Sequence, residues 1–302
     1  MPHNAPIHVW LLFPADRDVA PTRYTNKRFL EVAEAEQCRI EIIDPRAIPD
    51  NVLWPEDDSL SALRSMFDLP QIVLARSGAR MGKKGRQLMR LLERDGSVTV
   101  LPTASALWRA GDKIRTADRL TEHNLATPLT FALEGLDLAH LPLDFPMVLK
   151  RARGSKGVQV ALCQDLETLK QAAEALPGKS PLLIQQFIKA SFGRDIRVFI
   201  SGGQALAAIE RRGAEGEFRS NIAMGGNAIE VPMDAELESL AVKAAKALEL
   251  DFAGVDILCG QDGYLVCEVN AAPGFEAVEE VTGLDVASRM LQDAKAIDAA
   301  RR

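Results

Sequence analysis

The sequence predicts a parallel α/β unit at the amino terminus, followed by two α+β units. In the first hundred residues, short apolar runs alternate with helical segments, which is the pattern of a parallel sheet with helices on its faces. In the rest of the chain, strands follow one another across short glycine-containing turns, as they do in antiparallel hairpins. The chain of 302 residues is long enough for two or three domains.

The amino-terminal unit begins with a continuous apolar run at residues 7–13, and a second such run follows at residues 71–75. Continuous runs are typical of parallel strands that are buried on both faces. Helices and shorter strands are predicted around these runs at residues 25–35, 39–43, 83–94 and 98–101. The pattern between residues 45 and 70 is poor, so we expect mostly loop there.

The remaining elements are predicted from glycine turns and helical repeats. Helices are predicted at residues 113–123, 165–175, 234–248 and 285–302. Strands are predicted at residues 146–150, 182–188, 195–200, 204–211, 252–258 and 264–270. A glycine-containing turn at residues 151–160 leads from the first of these strands into a second strand, and Asp165 is the expected N-cap of the helix that follows.

The composition excludes several classes of protein. Hydrophobic residues make up 47% of the chain and charged residues 26%, which is typical of a globular protein rather than a disordered one. The 36 basic and 42 acidic residues give a net charge of −6, so we expect no direct nucleic-acid partner. The apolar run at residues 9–13 is too short for a signal peptide or a membrane span, which predicts a cytoplasmic protein with no membrane partner.

The cysteines and histidines predict neither zinc binding nor disulfides. The cysteines are scattered and form no CxxC pair: Cys38, Cys163, Cys259 and Cys267. The four histidines are likewise isolated from one another. We therefore expect reduced thiols, as in cytosolic proteins.

Three oxygen-bearing side chains lie in the last predicted hairpin. Asp256 lies in GVDIL, and Glu268 and Asn270 lie in CEVN. Residues two apart on a strand face the same side, and hairpin pairing brings Asp256 onto the neighbouring strand. A carboxylate among apolar residues is costly unless it is paired or coordinates a metal. Two carboxylates and an amide oxygen suit Mg²⁺ or Mn²⁺, and pairing with arginines or capping of turns is the alternative.

Other stretches carry groups that suit an anion. The turn RARGSKGVQV places glycines around Ser155 and Lys156, which lets backbone N–H groups approach a phosphate, although a surface hairpin turn is the simpler explanation. Cations at strand ends are usually solvated, but beside a metal site they would neutralise a transferring phosphoryl group. The candidates are Lys113, Lys150, Arg211, Arg212 and Arg219, with Asn221 close to the last of them.

The stretch QQFIKASFGRDIRVF carries a weaker signal. Main-chain groups of the strand at residues 182–188 and the carboxylate of Asp195 are suited to hold adenine and ribose hydroxyls. A plain connector between two strands is the alternative explanation for these residues.

Taken in order, the stretches DKIRT, QQFI, GRDIRVF, AAIERR, FRSN, GVDIL and CEVNAAPGFE resemble the ATP-grasp ligases, especially the RimK-type α-L-glutamate ligases. The resemblance covers roughly residues 101–302. It implies an ATP-grasp fold, in which a parallel α/β domain precedes two α+β subdomains that clasp ATP. The implied boundaries are residues 1–101 for the pre-ATP-grasp domain, 102–190 for the central lid subdomain and 191–302 for the carboxyl-terminal subdomain.

The resemblance implies roles for the residues on the nucleotide side. Lys113 and Lys150 would contact the α- and β-phosphates and the base. The turn that contains Ser155 and Gly157 would fold over the phosphates as a mobile lid, and Asp195 would hold the ribose. The adenine pocket would be lined by Gln185, Gln186, Phe187 and Ile188. At the second and third of these positions the family more often has glutamate and tyrosine.

The resemblance also implies the groups around the reacting phosphate. Arg211, Arg219 and Asn221 would lie beside the γ-phosphate and the acyl phosphate as catalytic residues. Two Mg²⁺ or Mn²⁺ ions would be bound by Asp256, Glu268 and Asn270.

The implied activity is ATP-dependent amide ligation through an acyl phosphate. L-glutamate would supply the amine, and the acceptor would be a carboxyl-terminal carboxylate of a peptide or protein, such as a ribosomal protein tail or a growing glutamate chain. The protein would form a homo-oligomer, a dimer or a tetramer. The alternatives are a ligase for another amino acid or a small-molecule or cofactor acceptor, and a nucleotide-binding regulatory protein without turnover. A dinucleotide-dependent oxidoreductase is excluded because no GxGxxG opens a helix in the first unit.

Overall fold

The computed structural model describes residues 5–15, 19–54, 60–78, 81–154, 159–220 and 226–302, and within them the chain forms three separate sheets. The first sheet is parallel, and the other two are antiparallel. This arrangement confirms the predicted order of one parallel α/β unit followed by two α+β units. The three sheets fall within the three implied domain ranges, whose boundaries stay predictions.

The first sheet has the strand order β2-β1-β3-β4. Its strands are β1 (Ile7–Leu12), β2 (Cys38–Ile43), β3 (Ile72–Ala75) and β4 (Thr99–Leu101). All four were predicted, each with one end shifted by one residue. Because β1 and β3 are parallel and Leu12 pairs with Ala75, the residues that follow these strands meet at one edge of the sheet. In open α/β sheets this carboxyl edge is where ligands bind.

The helices around this sheet include three that the sequence pattern did not predict. The helices are α1 (Tyr24–Val32), α2 (Asp50–Leu53), α3 (Ser61–Met66), α4 (Gly82–Asp95), α5 (Ala104–Ala110) and α6 (Lys113–Glu122). The expectation of mostly loop between residues 45 and 70 was wrong, because α2, α3 and a short 3₁₀ turn lie there. These pieces are too short for a clear helical repeat, and burial of Leu53 and Leu63 in the core holds them in place.

The second sheet is antiparallel and has the strand order β5-β8-β6-β7. Its strands are β5 (Thr130–Ala132), β6 (Met147–Arg151), β7 (Val160–Cys163) and β8 (Leu182–Gln186). The predicted hairpin is confirmed, since β6 and β7 pair with Lys150 opposite Val160. Helix α7 (Leu166–Ala175) starts at Asp165, whose side chain and that of Thr168 form a capping box. The sequence analysis missed only the three-residue strand β5 in this sheet.

The third sheet is antiparallel and has the strand order β11-β10-β9-β12-β13. Its strands are β9 (Arg194–Ser201), β10 (Gln204–Arg212), β11 (Asn227–Glu230), β12 (Ala253–Cys259) and β13 (Tyr264–Asn270). The helices of this part are α8 (Ala235–Ala247), α9 (Glu276–Thr282) and α10 (Val286–Arg301). The short elements β11 and α9 were not predicted, and the others were.

The first and third sheets share their apolar cores, whereas the second sheet has a small core of its own. Two large clusters of buried residues each combine strands of the first sheet with strands of the third. Helix α10 packs on α1, β3, β4 and β9, and the buried carboxylate of Asp298 accepts a hydrogen bond from Thr99 Oγ1 at 2.7 Å. The separate core of the second sheet consists of Met147, Leu149, Cys163, Leu169 and Ile184.

None of the helices in the described ranges is both long enough and apolar enough to cross a lipid bilayer.

Phe275 is the aromatic centre of the joint between the first and third sheets, and it provides a test of that joint. Its fully buried ring lies edge to face with Phe29 at 5.6 Å and with Phe199 at 6.2 Å between centroids. We expect Phe275→Ala to lower the free energy of unfolding by about 3–5 kcal/mol, measured by urea denaturation, because it leaves a cavity in the shared core. The exposed Met66→Ala is the control and should change this value by less than about 0.5 kcal/mol. If the free energy of unfolding of Phe275→Ala equals that of Met66→Ala, the first and third sheets do not share an apolar core at Phe275.

Candidate functional site

A cavity of about 790 Å³ lies where the three sheets meet, and it gathers the predicted site residues. Every described residue to which the family resemblance gives a role lines it: Lys113, Lys150, Gln185, Gln186, Phe187, Ile188, Asp195, Arg211, Arg219, Asp256, Glu268 and Asn270. The candidate cation Arg212 does not line it, because its side chain is largely exposed and pairs with Glu210. The other three predicted residues lie outside the described residues: Ser155, Gly157 and Asn221. Residues that are far apart in the sequence therefore converge on one cavity.

Strand register places the charged side chains of the third sheet in rows. Asp256 on β12 is paired with Arg197 on β9 and with Glu268 on β13, so these three residues form one row across the sheet. A second pair, Asp195 and Arg211, lies directly opposite each other on β9 and β10. Asp195 and Arg197 are two residues apart on one strand and therefore face the same side. Opposite charges meet in the pairs Arg197–Asp256 and Asp195–Arg211, which stabilises the neighbouring strands, whereas Asp256 and Glu268 place two negative charges side by side.

Asp256 is held by two arginines. Its carboxylate accepts hydrogen bonds from Arg197 Nε at 2.7 Å and Arg197 Nη2 at 2.8 Å, and Arg211 Nη2 lies at 2.9 Å. Burial opposes the charge of Asp256, but the two guanidinium groups outweigh it and lower the pKa of Asp256 to about 2. Asp256 is therefore ionised at neutral pH. Its partners among the described residues are two arginines, and pairing with arginines was the alternative to metal binding in the sequence analysis.

Arg211 is shared between two carboxylates. Besides Asp256, it bonds to Asp195 through Nε at 2.8 Å and Nη2 at 2.5 Å. Burial opposes the charge of Arg211, but the two carboxylates raise its pKa above the ordinary value, so it stays protonated. Burial raises the pKa of Asp195, and the negative charge of Asp256 raises it further. The positive charge of Arg211 lowers this pKa, but the pKa remains above its ordinary value. The predicted contact of Asp195 with a ribose stays a prediction.

Gly254 leaves room for this network. A Cβ atom at Gly254 would lie 3.4 Å from Arg197 Nε and 3.0 Å from Pro273 Cβ. Because the second distance is tighter than an ordinary contact, a larger residue would displace Pro273 or Arg197. Gly254 therefore lets the loop after β13 pack directly over the Arg197 side chain.

The two predicted phosphate-binding lysines are fixed against the second sheet. Lys113 starts α6 next to that sheet, since its backbone N–H donates to the Ala152 carbonyl at 2.9 Å. Its Nζ donates to the Gly154 carbonyl at 3.1 Å and lies 3.3 Å from Glu268 Oε1. Lys150 Nζ donates to Gln185 Oε1 at 2.7 Å. Both ammonium groups thus lie in the cavity beside groups that hold them in place.

The predicted adenine-binding strand contributes both main-chain and side-chain contacts. Gln185 Nε2 donates to Thr130 Oγ1 at 3.0 Å, so the side chain that accepts from Lys150 is itself anchored to β5. The Gln186 backbone N–H donates to the Leu129 carbonyl at 2.8 Å, which leaves this N–H unavailable to a base. The Phe187 ring lies edge to face with Phe192 at 6.3 Å. The adenine contacts of this segment stay predictions.

Arg219 lines the cavity and is held in place by an acidic neighbour. Its Nη2 donates to Glu217 Oε2 at 2.6 Å, and its Nε donates to Glu217 Oε1 at 2.9 Å. The hydrogen bonds to Glu217 raise the pKa of Arg219, so its positive charge is retained. Its predicted position beside a γ-phosphate stays a prediction.

Three of the cavity-lining residues that the sequence analysis did not assign to the site contact or neighbour its charged groups. Arg197 lies two residues beyond Asp195 on β9, so the period of two was the signal that could have placed it in the site. Cys267 is left unpaired where the register shifts between the pairs Asp256–Glu268 and Ile257–Val266, and Lys150 Nζ lies 3.7 Å from its Sγ. Arg76 follows β3 at the carboxyl edge of the first sheet, which is a signal only when the strand order is known.

The oxygen donors of the predicted metal site fit a hard divalent cation in kind. Glu268 has a carboxylate with 38% of its side chain exposed, and Asn270 Oδ1 accepts a hydrogen bond from the Ala272 backbone N–H at 3.0 Å. Within the described ranges, no three or more His, Cys, Asp or Glu residues cluster as a metal site. The predicted set contains only two carboxylates with an amide, as Mg²⁺ sites completed by substrate phosphates do. The metal role of Asp256, Glu268 and Asn270 stays a prediction.

Known proteins resemble this chain in sequence over most of its length. The RimK-like ATP-grasp domain family matches residues 110–294. A probable alpha-L-glutamate ligase of Serratia proteamaculans is 37% identical over 276 residues, which cover 90% of this chain and 91% of that protein. A ribosomal protein bS6–L-glutamate ligase of Escherichia coli is 34% identical over 282 residues, which cover 90% of this chain and 91% of that protein.

The fold is also shared with a solved structure of much lower sequence identity. A D-alanine–D-alanine ligase from Bacillus anthracis, solved in complex with ATP, superposes with a TM-score of 0.73 at 17% identity. The match covers 99% of this chain and 100% of that one. At this identity the likeness establishes the fold, which is the one implied by the sequence motifs.

The ion pairs of Asp256 predict a pH-dependent stability. We expect Asp256→Asn, without added metal, to lower the free energy of unfolding at pH 7 by about 3–5 kcal/mol, because Arg197 and Arg211 lose a buried partner. The pKa of Asp256 is lowered from 3.8 to about 2, so its stabilising charge is fully present above about pH 4 and is lost as the pH falls through 2. The difference between wild type and variant, measured by urea denaturation, should therefore narrow below about pH 4.

Asp262→Asn is the matched control, since Asp262 is exposed at the tip of the same hairpin. It should leave the free energy of unfolding nearly unchanged at every pH. A difference for Asp256→Asn that stays constant from pH 7 to pH 2 would contradict the assigned ion pairs.

Proposed function

This chain belongs to the RimK-like ATP-grasp family, and from that premise we propose that it joins L-glutamate to a carboxyl-terminal carboxylate of a peptide or protein. The chain is an ATP-dependent ligase of the acid–amino-acid type. The observation that carries the proposal is the match of residues 110–294, because this range contains all the predicted site residues between Lys113 and Asn270. The names of two relatives support L-glutamate as the added amino acid, and one of them supports a protein acceptor.

The chemistry explains why this site needs charge more than acid–base groups. A carboxylate is a poor electrophile because it has no good leaving group. Transfer of the γ-phosphoryl group from ATP makes it an acyl phosphate, and attack by an amine then forms the amide and releases phosphate. The protein has to hold the two substrates together, neutralise the phosphoryl charge and keep water from the mixed anhydride.

The described residues supply these functions from two sides of the cavity. On the side of the second sheet, Lys113 and Lys150 present fixed ammonium groups for the α- and β-phosphates. On the side of the third sheet, Arg211 and Arg219 remain charged and would neutralise the γ-phosphate and the acyl phosphate. Their partners hold them in place beforehand, so little reorganisation is needed when the charge arrives.

The proposed cation site consists of Asp256, Glu268 and Asn270. Two Mg²⁺ or Mn²⁺ ions bound there would screen the triphosphate and lower the barrier to phosphoryl transfer. Glu268 has the more exposed carboxylate, and its contact with Lys113 is longer than an ordinary hydrogen bond, so it is free to turn towards a cation. Ser155, Gly157 and Asn221 retain their proposed roles as lid and catalytic residues, outside the described residues.

The substrate assignment is tested by incubating the protein with MgATP, a peptide acceptor with a free carboxyl terminus and each of the twenty amino acids in turn. We expect ADP release with L-glutamate, and by mass spectrometry a product heavier by one or more glutamyl residues. ADP release with a different amino acid, or only with a small-molecule acid as acceptor, would replace the proposed substrates. Absence of ADP release with every combination would overturn the proposal and favour a regulatory nucleotide-binding protein.

Glu268→Gln tests the proposed cation site with little risk to folding. Asp256 is less suited to this test, because its removal leaves Arg197 and Arg211 without a partner. We expect Glu268→Gln to lower kcat for ADP release by at least about 100-fold, because the site loses one of its two carboxylates. Its thermal midpoint should stay close to that of the wild type, because the side chain is partly exposed.

The control for this experiment is Glu236→Gln, an exposed residue in the first turn of α8. It removes the same charge at a residue that does not line the cavity, and it should leave kcat unchanged. A Glu268→Gln protein with full turnover would refute the metal assignment.

A further inference from the structure

Arg76 is a buried cation that the reaction described above does not use. It follows β3 at the carboxyl edge of the first sheet, lines the cavity and has a relative exposure of 6%. Buried arginines are costly unless a carboxylate pairs with them. Among the described residues, no carboxylate forms an ion pair or hydrogen bond with Arg76, whereas Arg197, Arg211 and Arg219 each have an acidic partner.

The contacts of Arg76 hold its guanidinium group without neutralising it. Nη2 donates to the Pro273 carbonyl at 2.6 Å, and the guanidinium lies 5.6 Å from the Phe29 ring centroid and 5.7 Å from that of Phe275. Nε is buried and has no hydrogen-bond partner. Burial lowers the pKa of Arg76 to about 10, so the group stays charged at neutral pH. An oriented positive charge that lines the cavity and has no acidic partner among the described residues is suited to an anionic ligand.

The position of Arg76 separates it from the groups proposed to hold the triphosphate. Lys113 and Lys150 lie against the second sheet, whereas Arg76 belongs to the first sheet and contacts the loop after β13 through Pro273. The same cavity reaches both places. An anion bound at Arg76 would therefore lie in the reaction chamber, on a different wall from the nucleotide phosphates.

We infer that Arg76 binds the α-carboxylate of the incoming amino acid. This inference rests on the proposed function, and it names the substrate group that the first sheet recognises. The α-carboxylate does not react in the ligation, and it is bonded to the same carbon as the attacking amine. A guanidinium that holds it fixes the direction of the amine. Pairing with a cation also makes this carboxylate a weaker nucleophile towards ATP, which favours phosphorylation of the acceptor instead.

The test compares the amino acid with its α-amide, which lacks the α-carboxylate charge. For L-glutamate the analogue is L-glutamic acid 1-amide, and the readout is kcat/KM for ADP release at saturating MgATP. We expect wild type to prefer the acid by about 10- to 100-fold, the range for a hydrogen bond between charged groups. In Arg76→Met this preference should fall to nearly one, while the KM for ATP stays within about twofold of wild type.

Two further variants separate recognition from a structural role. Arg76→Lys keeps the charge but loses the planar fork, so it should retain part of the preference for the acid. If Arg76→Met does not fold, Arg76→Lys carries the same comparison. Arg90→Met removes an exposed arginine of α4 and should retain the full preference of the wild type. If Arg76→Met lowers only the stability or kcat and keeps the full preference for the acid over the α-amide, the inference is wrong. Arg76 would then only anchor the Pro273 loop.

The experiment also distinguishes this inference from the assignment of glutamate. Every amino acid has an α-carboxylate, so the comparison is made with whichever amino acid the wild-type protein uses and the α-amide of that amino acid. Use of another amino acid would overturn the glutamate assignment while the Arg76 comparison still decides the inference. Absence of turnover with all twenty amino acids would overturn both.

Discussion

The register of the third sheet is the constraint on which the site depends. Arg197, Asp256 and Glu268 meet because β9, β12 and β13 are paired at these residues, and Asp195 meets Arg211 for the same reason on β9 and β10. A shift of one residue in any strand would move its charged side chains to the opposite face. That face is packed in the apolar cores, so the burial of residues such as Val198, Val255 and Val269 also fixes the positions of the charges.

The resulting charges are fixed before any substrate binds. Asp195 and Asp256 each lie against an arginine, and Arg211 lies against both carboxylates. The arginines favour the charged form of Asp256, whereas burial and the neighbouring charge of Asp256 raise the pKa of Asp195. The pKa of Asp256 is lowered and that of Arg211 is raised for the same reason. Such a network suits phosphoryl transfer, in which the protein mainly supplies preorganised charge and position. It also means that a single substitution in the network disturbs several groups together.

Local patterns predicted the three sheets, and local patterns together with the family resemblance predicted most of the phosphate- and metal-binding candidates in the cavity. Continuous apolar runs marked β1 and β3, and glycine turns marked the hairpins that contain Lys150 and Asp256. The missed elements are short, with at most seven residues each, and they are held by packing against other parts of the chain, which no local pattern records: β5, β11, α2, α3, α5 and α9. Similarly, the period of two predicts that Glu268 and Asn270 face the same side of β13. It does not predict that β9 lies beside β12, and this pairing gives Asp256 its partner Arg197.

The domain pattern shows a similar limit. The sequence distinguishes a parallel unit from two antiparallel ones, yet the first and third sheets share apolar clusters across a gap of about a hundred residues. Phe275 and Arg76 acquire their surroundings only through this shared core, since their partners come from α1, β9 and the loop after β13. Residues at such joints look ordinary in the sequence, because their environment is created by tertiary packing.

Helix α10 has a consequence for how this chain is made. Synthesis proceeds from the amino terminus, and the first sheet is complete once β4 has left the ribosome. One apolar side of that sheet is covered by α10, which is translated almost two hundred residues later. Until then, β3 and β4 present a bare hydrophobic surface in the nascent chain. This part of the first sheet is therefore covered only after α10 has been synthesised, and in the interval a chaperone that shields apolar strands would protect the nascent chain from aggregation.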